Sequence, residues 1–248
     1  MRGSRLVVAV VVVALGFAPA SASAGRNHFG WLFDNEVNEE RGVELETWLF
    51  EEDGTGDAGI EESSLWWGPT IGVTDQLELA IPVEVLWIDV HDGSPPRTKL
   101  SRFGAEVRWR LVTMDPEEAP PVAPLLRLAV KRMIDVREGV RIEGDVVVGL
   151  DAGRVHAAVD LGAVTEIVDG ADSVELYPAA GVSVAVTDDL SVGVEAIAEI
   201  VAEGEEDSWV AVGPDLAWTH GRFWLSAAYG IGVYQIDAAP RLNWGVAF

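Results

Sequence analysis

The residues of this sequence that could do chemistry are charged side chains set two positions apart in otherwise apolar segments. If such segments are strands, side chains two positions apart share one face, so these charges would line a common wall. Charges on the wall of an enclosed space either set the electrostatic field of a solute pathway or neutralise one another in cross-strand ion pairs. The spacing leaves both roles open. The residues predicted to line the interior are Glu78, Glu84, Glu106, Arg108, Arg110, Arg127, Lys131, Arg141, Glu143, Asp160, Glu195, Glu199 and Asp215.

The cations of this charged face are concentrated on three consecutive segments. They are Arg108 and Arg110 on the first, Arg127 and Lys131 on the second, and Arg141 on the third. Antiparallel neighbours would join them into one continuous basic stripe on the inner wall. We expect acids on the opposite arc, namely Glu175, Glu195, Glu199 and Asp215. This arrangement predicts a transverse field and a narrow charged constriction.

The sequence offers little for catalysis. It has no cysteine, which removes thiol nucleophiles, thiolate metal sites and disulfides. Its four histidines, at positions 28, 91, 156 and 220, have no obvious serine partner in register on a neighbouring strand. Neither metal-ligand spacings nor glycine-rich phosphate motifs are found. We therefore predict that the protein is not an enzyme and has no catalytic, cofactor-binding or dedicated metal-binding residue.

The overall charge restricts the partners. Acidic residues outnumber basic ones by 41 to 17, which gives a formal net charge of −24. Such a field repels nucleic-acid phosphates, so nucleic acid is disfavoured as a partner.

The N-terminus has the three parts of a secretory signal peptide. Arg2 and Arg5 precede the apolar run 6–17, and small residues follow up to Ala24. The apolar run is too short to span a membrane, so we predict a cleavable signal peptide over 1–24 and an N-terminal periplasmic segment over 25–41. Cleavage would change the formal net charge from −24 to −26, because two of the 17 basic residues are lost.

From Gly42 onward, apolar and polar residues alternate with the period of two that is typical of strands with two unlike faces. In the segment 190–200, for example, Leu190, Val192 and Val194 share one face and Glu195 and Glu199 lie on the other. Hydrophobic residues make up 49% of the chain, yet after the signal peptide no apolar run reaches the roughly 20 residues of a membrane helix. The pattern predicts strands at 42–51, 62–73, 77–89, 98–112, 122–134, 140–151, 155–167, 173–186, 190–202, 207–219, 223–234 and 240–248.

Short turns alternate with longer, more polar connections along these strands, as on the two rims of outer-membrane barrels. With both termini in the periplasm, the tight turns would face the periplasm and the acidic loops the cell exterior. The segment 114–121 is an exception, because it is rich in proline and acid but falls on the short-turn side. Since an open sheet edge is not tolerated in lipid, we expect the strands at 42–51 and 240–248 to pair and close the barrel over 42–248.

Aromatic residues support this interpretation. Several lie on the apolar face close to strand ends, where interfacial girdles form. The chain ends on an alternating strand whose last residue, Phe248, resembles the C-terminal signal that the outer-membrane assembly machinery reads. The girdle residues are Trp67, Trp87, Trp109, Trp218, Phe223, Trp244 and Phe248.

Two stretches resemble the opening strands of a known group of barrels. The stretch 35–48 has a glycine, Gly42, before a strand rich in glutamate and tryptophan, and in 68–82 the turn Gly72-Val73-Thr74-Asp75-Gln76-Leu77 leads to a strand that reaches Pro82. Both are similar to outer-membrane barrels grouped with the meta-pathway phenol-degradation proteins. The resemblance covers mainly the first third of the chain. It implies an outer-membrane barrel that moves small hydrophobic or aromatic compounds, and it assigns no role to an individual residue.

These observations predict an all-β fold, a single transmembrane antiparallel up-and-down β-barrel of about twelve strands in the bacterial outer membrane. The leading functional hypothesis is a porin-like channel for passive passage of small solutes, whose acidic lumen favours cations or neutral polar molecules. One alternative is a non-conducting structural or adhesion barrel with acidic extracellular loops, and another is an outer-membrane enzyme that acts on lipid. The expected partners are outer-membrane lipid, the barrel assembly machinery and small-molecule solutes.

Overall fold

The computed structural model describes residues 27–55, 60–90, 96–115, 118–134, 136, 138–168, 172–204 and 207–248. The predicted signal peptide lies outside them. The described residues form thirteen strands joined in an antiparallel meander. The strands are β1 Val43–Thr55, β2 Ile60–Thr74, β3 Leu77–Ala80, β4 Val83–Val90, β5 Arg97–Arg110, β6 Val122–Met133, β7 Val140–Ala152, β8 Val155–Ile167, β9 Ser173–Ala185, β10 Leu190–Glu203, β11 Trp209–His220, β12 Phe223–Tyr234 and β13 Ala238–Ala247.

The sheet closes on itself. The first strand, β1, pairs with β2 along the chain and with the last strand, β13, in a register that sets Glu44 opposite Ala247 and Leu49 opposite Leu242. A further bond from the Phe248 amide to the Val43 carbonyl extends this seam. The predicted pairing of the first and last strands is confirmed, and so is the all-β closed barrel.

The strands β3 and β4 are two halves of one barrel strand. Both pair with β2 on one side and β5 on the other, so the barrel wall is twelve strands around. The break falls at Ile81 and Pro82, because proline lacks the N–H that a ladder requires. The Ile81 amide still bonds to Pro69, and the Pro82 carbonyl accepts from Gly104. The prediction of one unbroken strand over 77–89 was wrong at this point.

The hydrophobic pattern is the inverse of that in a soluble protein. On β8, Val159 and Leu161 are 48% and 59% exposed, whereas Asp160 between them is 4% exposed. On β6, Leu128 is half exposed and Arg127 is buried. Apolar side chains on the outer surface and polar ones inside are typical of a barrel that contacts lipid.

The connection 111–121 explains the exception in the turn pattern. It joins β5 to β6 on the rim of the tight turns, and Met114 packs against a buried cluster of Val37, Leu125 and Val147. Val37 belongs to the segment that precedes β1. Met114 of this connection therefore lies against the same buried cluster as the N-terminal segment.

No helix in the described ranges is long and apolar enough to cross a membrane.

Candidate functional site

The charged residues predicted to line the interior are on the buried face of the barrel wall. Arg141 is half-buried, and the other twelve are each at most 7% exposed. A role in lining a pathway stays a prediction. The buried twelve are Glu78, Glu84, Glu106, Arg108, Arg110, Arg127, Lys131, Glu143, Asp160, Glu195, Glu199 and Asp215.

Arg127 is the centre of an ion-pair network. Its guanidinium contacts Asp145 at 2.7 Å, Glu106 at 2.6 Å and Glu143 at 2.7 Å. The central carbon of the guanidinium, Cζ, also lies 4.1 Å from the centre of the Phe33 ring. Charge-assisted bonds of this length are strong, and here the side chains that make them are nearly out of solvent.

Arg108 and Lys131 of the stripe are paired with acids as well. The guanidinium of Arg108, directly across from Arg127 in the β5–β6 register, contacts Glu46, Glu78 and Glu106 at 2.6–3.0 Å. The amine of Lys131 lies 2.8 Å from Glu143. The predicted neighbours do meet on one wall, but acids on β1, β3, β5 and β7 compensate their charges. The basic stripe is thus an ion-pair network rather than a band of uncompensated charge.

Arg141 and Glu84 extend the network toward the other rim. Arg141 contacts Glu143 at 2.8 Å and Glu166 at 2.7 Å. Arg102 joins Glu166, at 3.1 Å, to Glu84, at 3.2 Å.

The acids on the opposite arc are mostly separate from this network. Glu199 accepts a bond from the Trp209 indole at 3.1 Å. Glu175 accepts one from the Tyr177 hydroxyl at 2.7 Å, and lies 4.0 Å from Arg141. Within the described residues, neither carboxylate oxygen of Asp215 has a hydrogen-bond partner.

Other predicted lining residues hold the N-terminal segment. Glu195 accepts backbone bonds from Gly30 at 2.9 Å, Trp31 at 2.8 Å and Leu32 at 3.3 Å. The N-terminal segment, defined here as residues 27–42, is thereby fixed to β10.

The same segment reaches the facing wall. Asp160 accepts the Phe33 amide at 3.1 Å, Arg110 donates to the Asn35 carbonyl at 3.0 Å, and Glu78 accepts the Asn38 amide at 2.7 Å. Because these partners lie on β8, β5 and β3, the N-terminal segment crosses the interior.

This position differs from the expected one. We predicted a periplasmic segment over 25–41, but its described part lies inside the barrel, where Phe29 and Leu32 are at most 1% exposed. The segment has no strand periodicity, so a pattern search does not detect it. A sequence signal existed in its aromatic and apolar residues, Phe29, Trp31, Leu32 and Phe33, which are unusual for a free polar leader.

A histidine and two carboxylates meet where the N-terminal segment contacts β8. His156 Nδ1 lies 2.7 Å from Asp151, and His156 Nε2 lies 3.0 Å from Asp34. The ring of His28 stacks on that of His156, with centroids 4.3 Å apart. Burial by itself would raise the pKa of Asp34, but the adjacent His156, through its charge and hydrogen bond, holds that pKa well below its usual range.

One expectation about histidines was wrong. The β8–β9 register places Ser183 directly across from His156, although we expected no serine in register with a histidine. Both ring nitrogens of His156 bond to aspartates, and the Ser183 hydroxyl has no hydrogen-bond partner among the described residues. This pair therefore lacks the nucleophile–base hydrogen bond of a serine hydrolase.

A cavity of about 570 Å³ lies inside the barrel. It extends from Trp31 and Phe33 of the N-terminal segment to Asp207, in the connection between β10 and β11. The lining includes ten carboxylates, five cationic side chains and a set of aromatic rings. The rings are Trp31, Phe33, Trp48, Phe50, Trp66, Tyr177 and Trp209.

Arg241 lies at the aromatic side of this cavity. Its guanidinium is 5.0 Å from the ring centre of Trp31, 4.6 Å from Trp48 and 5.2 Å from Phe50. Sequence reasoning missed these inward rings because it assigned aromatics to the outer girdles. The sequence did carry a signal, because Trp48 is two residues from the inward Glu46 and side chains two positions apart on a strand share a face.

The girdle assignment itself agrees with the structure. Trp67, Trp87, Trp109, Trp218 and Phe248 are 36–57% exposed, and Phe223 and Trp244 are partly exposed.

No protein-family model matches the chain, and no curated protein matches it either. Solved structures of similar fold include an outer membrane channel from Pseudomonas putida F1, with a TM-score of 0.58 and 8% identity over 87% of this chain and 98% of that one. The translocator domain of the autotransporter NalP from Neisseria meningitidis has a TM-score of 0.55 and 12% identity over 84% and 88% of the two chains. A KdgM porin in complex with disordered oligogalacturonate has a TM-score of 0.53 and 10% identity over 83% of this chain and 99% of that one. The chain thus has the fold of bacterial outer-membrane β-barrels.

Proposed function

We propose that this chain, a barrel with the fold of outer-membrane channels and porins, lies in the bacterial outer membrane and gives passive passage to small solutes. The observation that carries the proposal is the cavity of about 570 Å³, which reaches from the N-terminal segment to the rim opposite the chain termini. Its volume lies in the usual range for small-molecule sites.

The lining supports a preference among solutes. The cavity is lined by ten carboxylates and five cationic side chains, so the excess charge is negative. Such a wall favours cations and neutral polar molecules over anions. The aromatic rings at the inner end suit a solute with an apolar part, in line with the small hydrophobic or aromatic compounds that the resemblance to the meta-pathway barrel group implies.

The N-terminal segment controls the other end of the path. Between residues 27–38 and the wall formed by β1, β3 and β5 there is a second cavity of only about 40 Å³, with room for a few water molecules. Solutes larger than that pass only when the segment moves. The segment therefore acts as a plug that sets the conductance.

Planar-bilayer recording tests this proposal with the chain from Gly25 onward and with a variant that lacks residues 25–38. We expect a small, cation-preferring conductance from the first and a several-fold larger one from the second. Glu195→Gln, which weakens three backbone bonds to the plug, should raise the frequency of opening. Asp215→Asn is the matched control, because it removes a buried carboxylate that makes no hydrogen bond to the plug.

A second candidate is the non-conducting structural barrel. The specific observations in its favour are the plug itself and the neutralised ion-pair network. If neither the full chain nor the truncated variant conducts, and neither supports liposome swelling with small sugars and amines, this second candidate replaces the channel.

A further inference from the structure

A set of possible metal ligands lies where the N-terminal segment meets β8. His28 and Asp34 come from the segment and His156 from the strand, and their ligand atoms all lie within 4.8 Å of one another. The Asp34 oxygen and His156 Nε2 are already 3.0 Å apart. Two histidines and one carboxylate form a typical first-row transition-metal set.

A fourth residue supports this set from behind. Asp151 binds Nδ1 of His156 at 2.7 Å, which leaves Nε2 facing Asp34. A carboxylate on the outer nitrogen of a ligating histidine is the usual support in zinc sites, because it fixes the ring and increases its basicity.

Charge and access also fit a cation. The side chains of Asp34 and His156 are each 5% exposed, and among the described residues no lysine or arginine lies within 4.0 Å of Asp34 or Asp151. Two carboxylates thus flank the His156 ring on its two nitrogens. The Asp151 side chain is 58% exposed at the rim, so an ion can enter from there.

We propose that His28, Asp34 and His156 bind a divalent transition-metal ion, of which Zn²⁺ is the representative, with water in the fourth position. Ligand atoms around a tetrahedral zinc lie roughly 3.3 Å apart, so the Asp34–His156 pair at 3.0 Å already fits. The ring of His28, whose ligand atom lies within 4.8 Å of the other two, has to turn out of its stack on His156 to complete the set. Since two ligands come from the N-terminal segment and one from the wall, the ion fastens this segment to the barrel. The inference does not depend on whether the barrel conducts.

The test is Zn²⁺ titration of the chain from Gly25 onward, refolded in detergent without a histidine tag, with Co²⁺ absorption as a second probe. We expect one ion per chain. His28→Gln should weaken binding at least about 10-fold, and Asp151→Asn, which leaves the three ligands intact, about 10-fold or more. Zn²⁺ should also slow proteolysis of the N-terminal segment in the parent chain, and EDTA should reverse this.

His220 provides the matched control. It lies on the same rim and pairs with Asp189 at 3.2 Å, but among the described histidines none stacks on it. His220→Gln should leave binding unchanged. The proposal is overturned if the parent chain binds no Zn²⁺, which would make the cluster an ion pair alone, or if His28→Gln and His220→Gln weaken binding equally, which would mean surface binding. Heat-modifiable migration on gels reports whether each variant is folded. If a His156 variant does not fold, the His28→Gln variant still tests the proposal.

Discussion

At the residue scale, the inner wall is defined by how each buried charge is compensated. Arg127 contacts three carboxylates, and the side chain of one of them, Glu106, is fully enclosed. A buried ion pair adds little net stability over an apolar pair of the same shape, but removing one partner leaves buried charge undercompensated. A single substitution in the network should therefore lower the free energy of unfolding by more than the intact network adds to it.

Arg127→Gln should therefore lower the free energy of unfolding by about 3–5 kcal/mol, because Glu106, Glu143 and Asp145 would lose their shared cation. Denaturant unfolding in detergent, followed by tryptophan fluorescence, measures the loss. Arg41→Gln is the control, since Arg41 is 90% exposed and its ion pair with Glu40 is solvated. The control should change stability by less than about 0.5 kcal/mol. Equal losses of unfolding free energy in the two variants would show that Arg127 contributes no more to stability than an exposed arginine.

At the element scale, the broken strand depends on a close approach of two backbones. A Cβ on Gly68 of β2 would come 2.1 Å from the Ile81 carbonyl oxygen, at the break between β3 and β4. The chain can bend over β2 there only because position 68 has no side chain.

We expect Gly68→Ala to destabilise the barrel by about 1–3 kcal/mol, because backbone atoms must move to admit the methyl group. Gly144→Ala on β7 is the matched substitution, since a Cβ there meets only the Arg127 carbonyl oxygen at 3.8 Å, an ordinary contact. Thermal unfolding of the two variants side by side checks the difference. Indistinguishable midpoints would contradict the role assigned to Gly68.

The elements also show what the sequence could and could not predict. Strands such as β8 and β10 were predictable because lipid on one side and a polar interior on the other impose a period of two. The extension of β1 to Thr55 was not, because Glu51, Glu52 and Asp53 looked like a loop, yet backbone pairing with β2 requires no apolar side chain.

The interior contents were beyond sequence reasoning for a different reason. The N-terminal segment is irregular, and its partners Glu195 and Asn243 lie 165 and 213 residues away from Gly30. Likewise, His28, Asp34 and His156 are brought together by the path of the segment rather than by any spacing. Face assignments follow from local pattern, whereas the filling of the lumen depends on three-dimensional fit.

At the scale of the whole molecule, closure depends on the seam between β1 and β13, and the chain ends there. Phe248 is 57% exposed on the outer surface, and its amide bonds to Val43. Because the last strand resembles the C-terminal signal of outer-membrane barrels, we propose that this exposed side chain is read by the assembly machinery rather than needed for the fold.

Phe248→Ala should therefore reduce the amount of barrel assembled in the outer membrane of cells several-fold, while the refolded protein keeps its stability in detergent. Phe103→Ala is the control, because Phe103 is 50% exposed on β5, away from the terminus. Fractionated membranes, analysed for heat-modifiable protein, give the readout. Equal assembly of the two variants would mean that the terminal phenylalanine is not read.

The plug also has a consequence for the order of events during folding. Its partners are distributed over strands from β2 to β13, and the separations along the chain run, for example, from 32 residues for Asn38–Thr70 to 213 for Gly30–Asn243. The segment is therefore held by many parts of the barrel at once, and its longest-range contacts carry a large loop-closure cost. None of these contacts can form until the strands that supply them are in place. We therefore expect the N-terminal segment to be among the last parts of the protein to reach its native position, after the barrel has closed around an empty lumen.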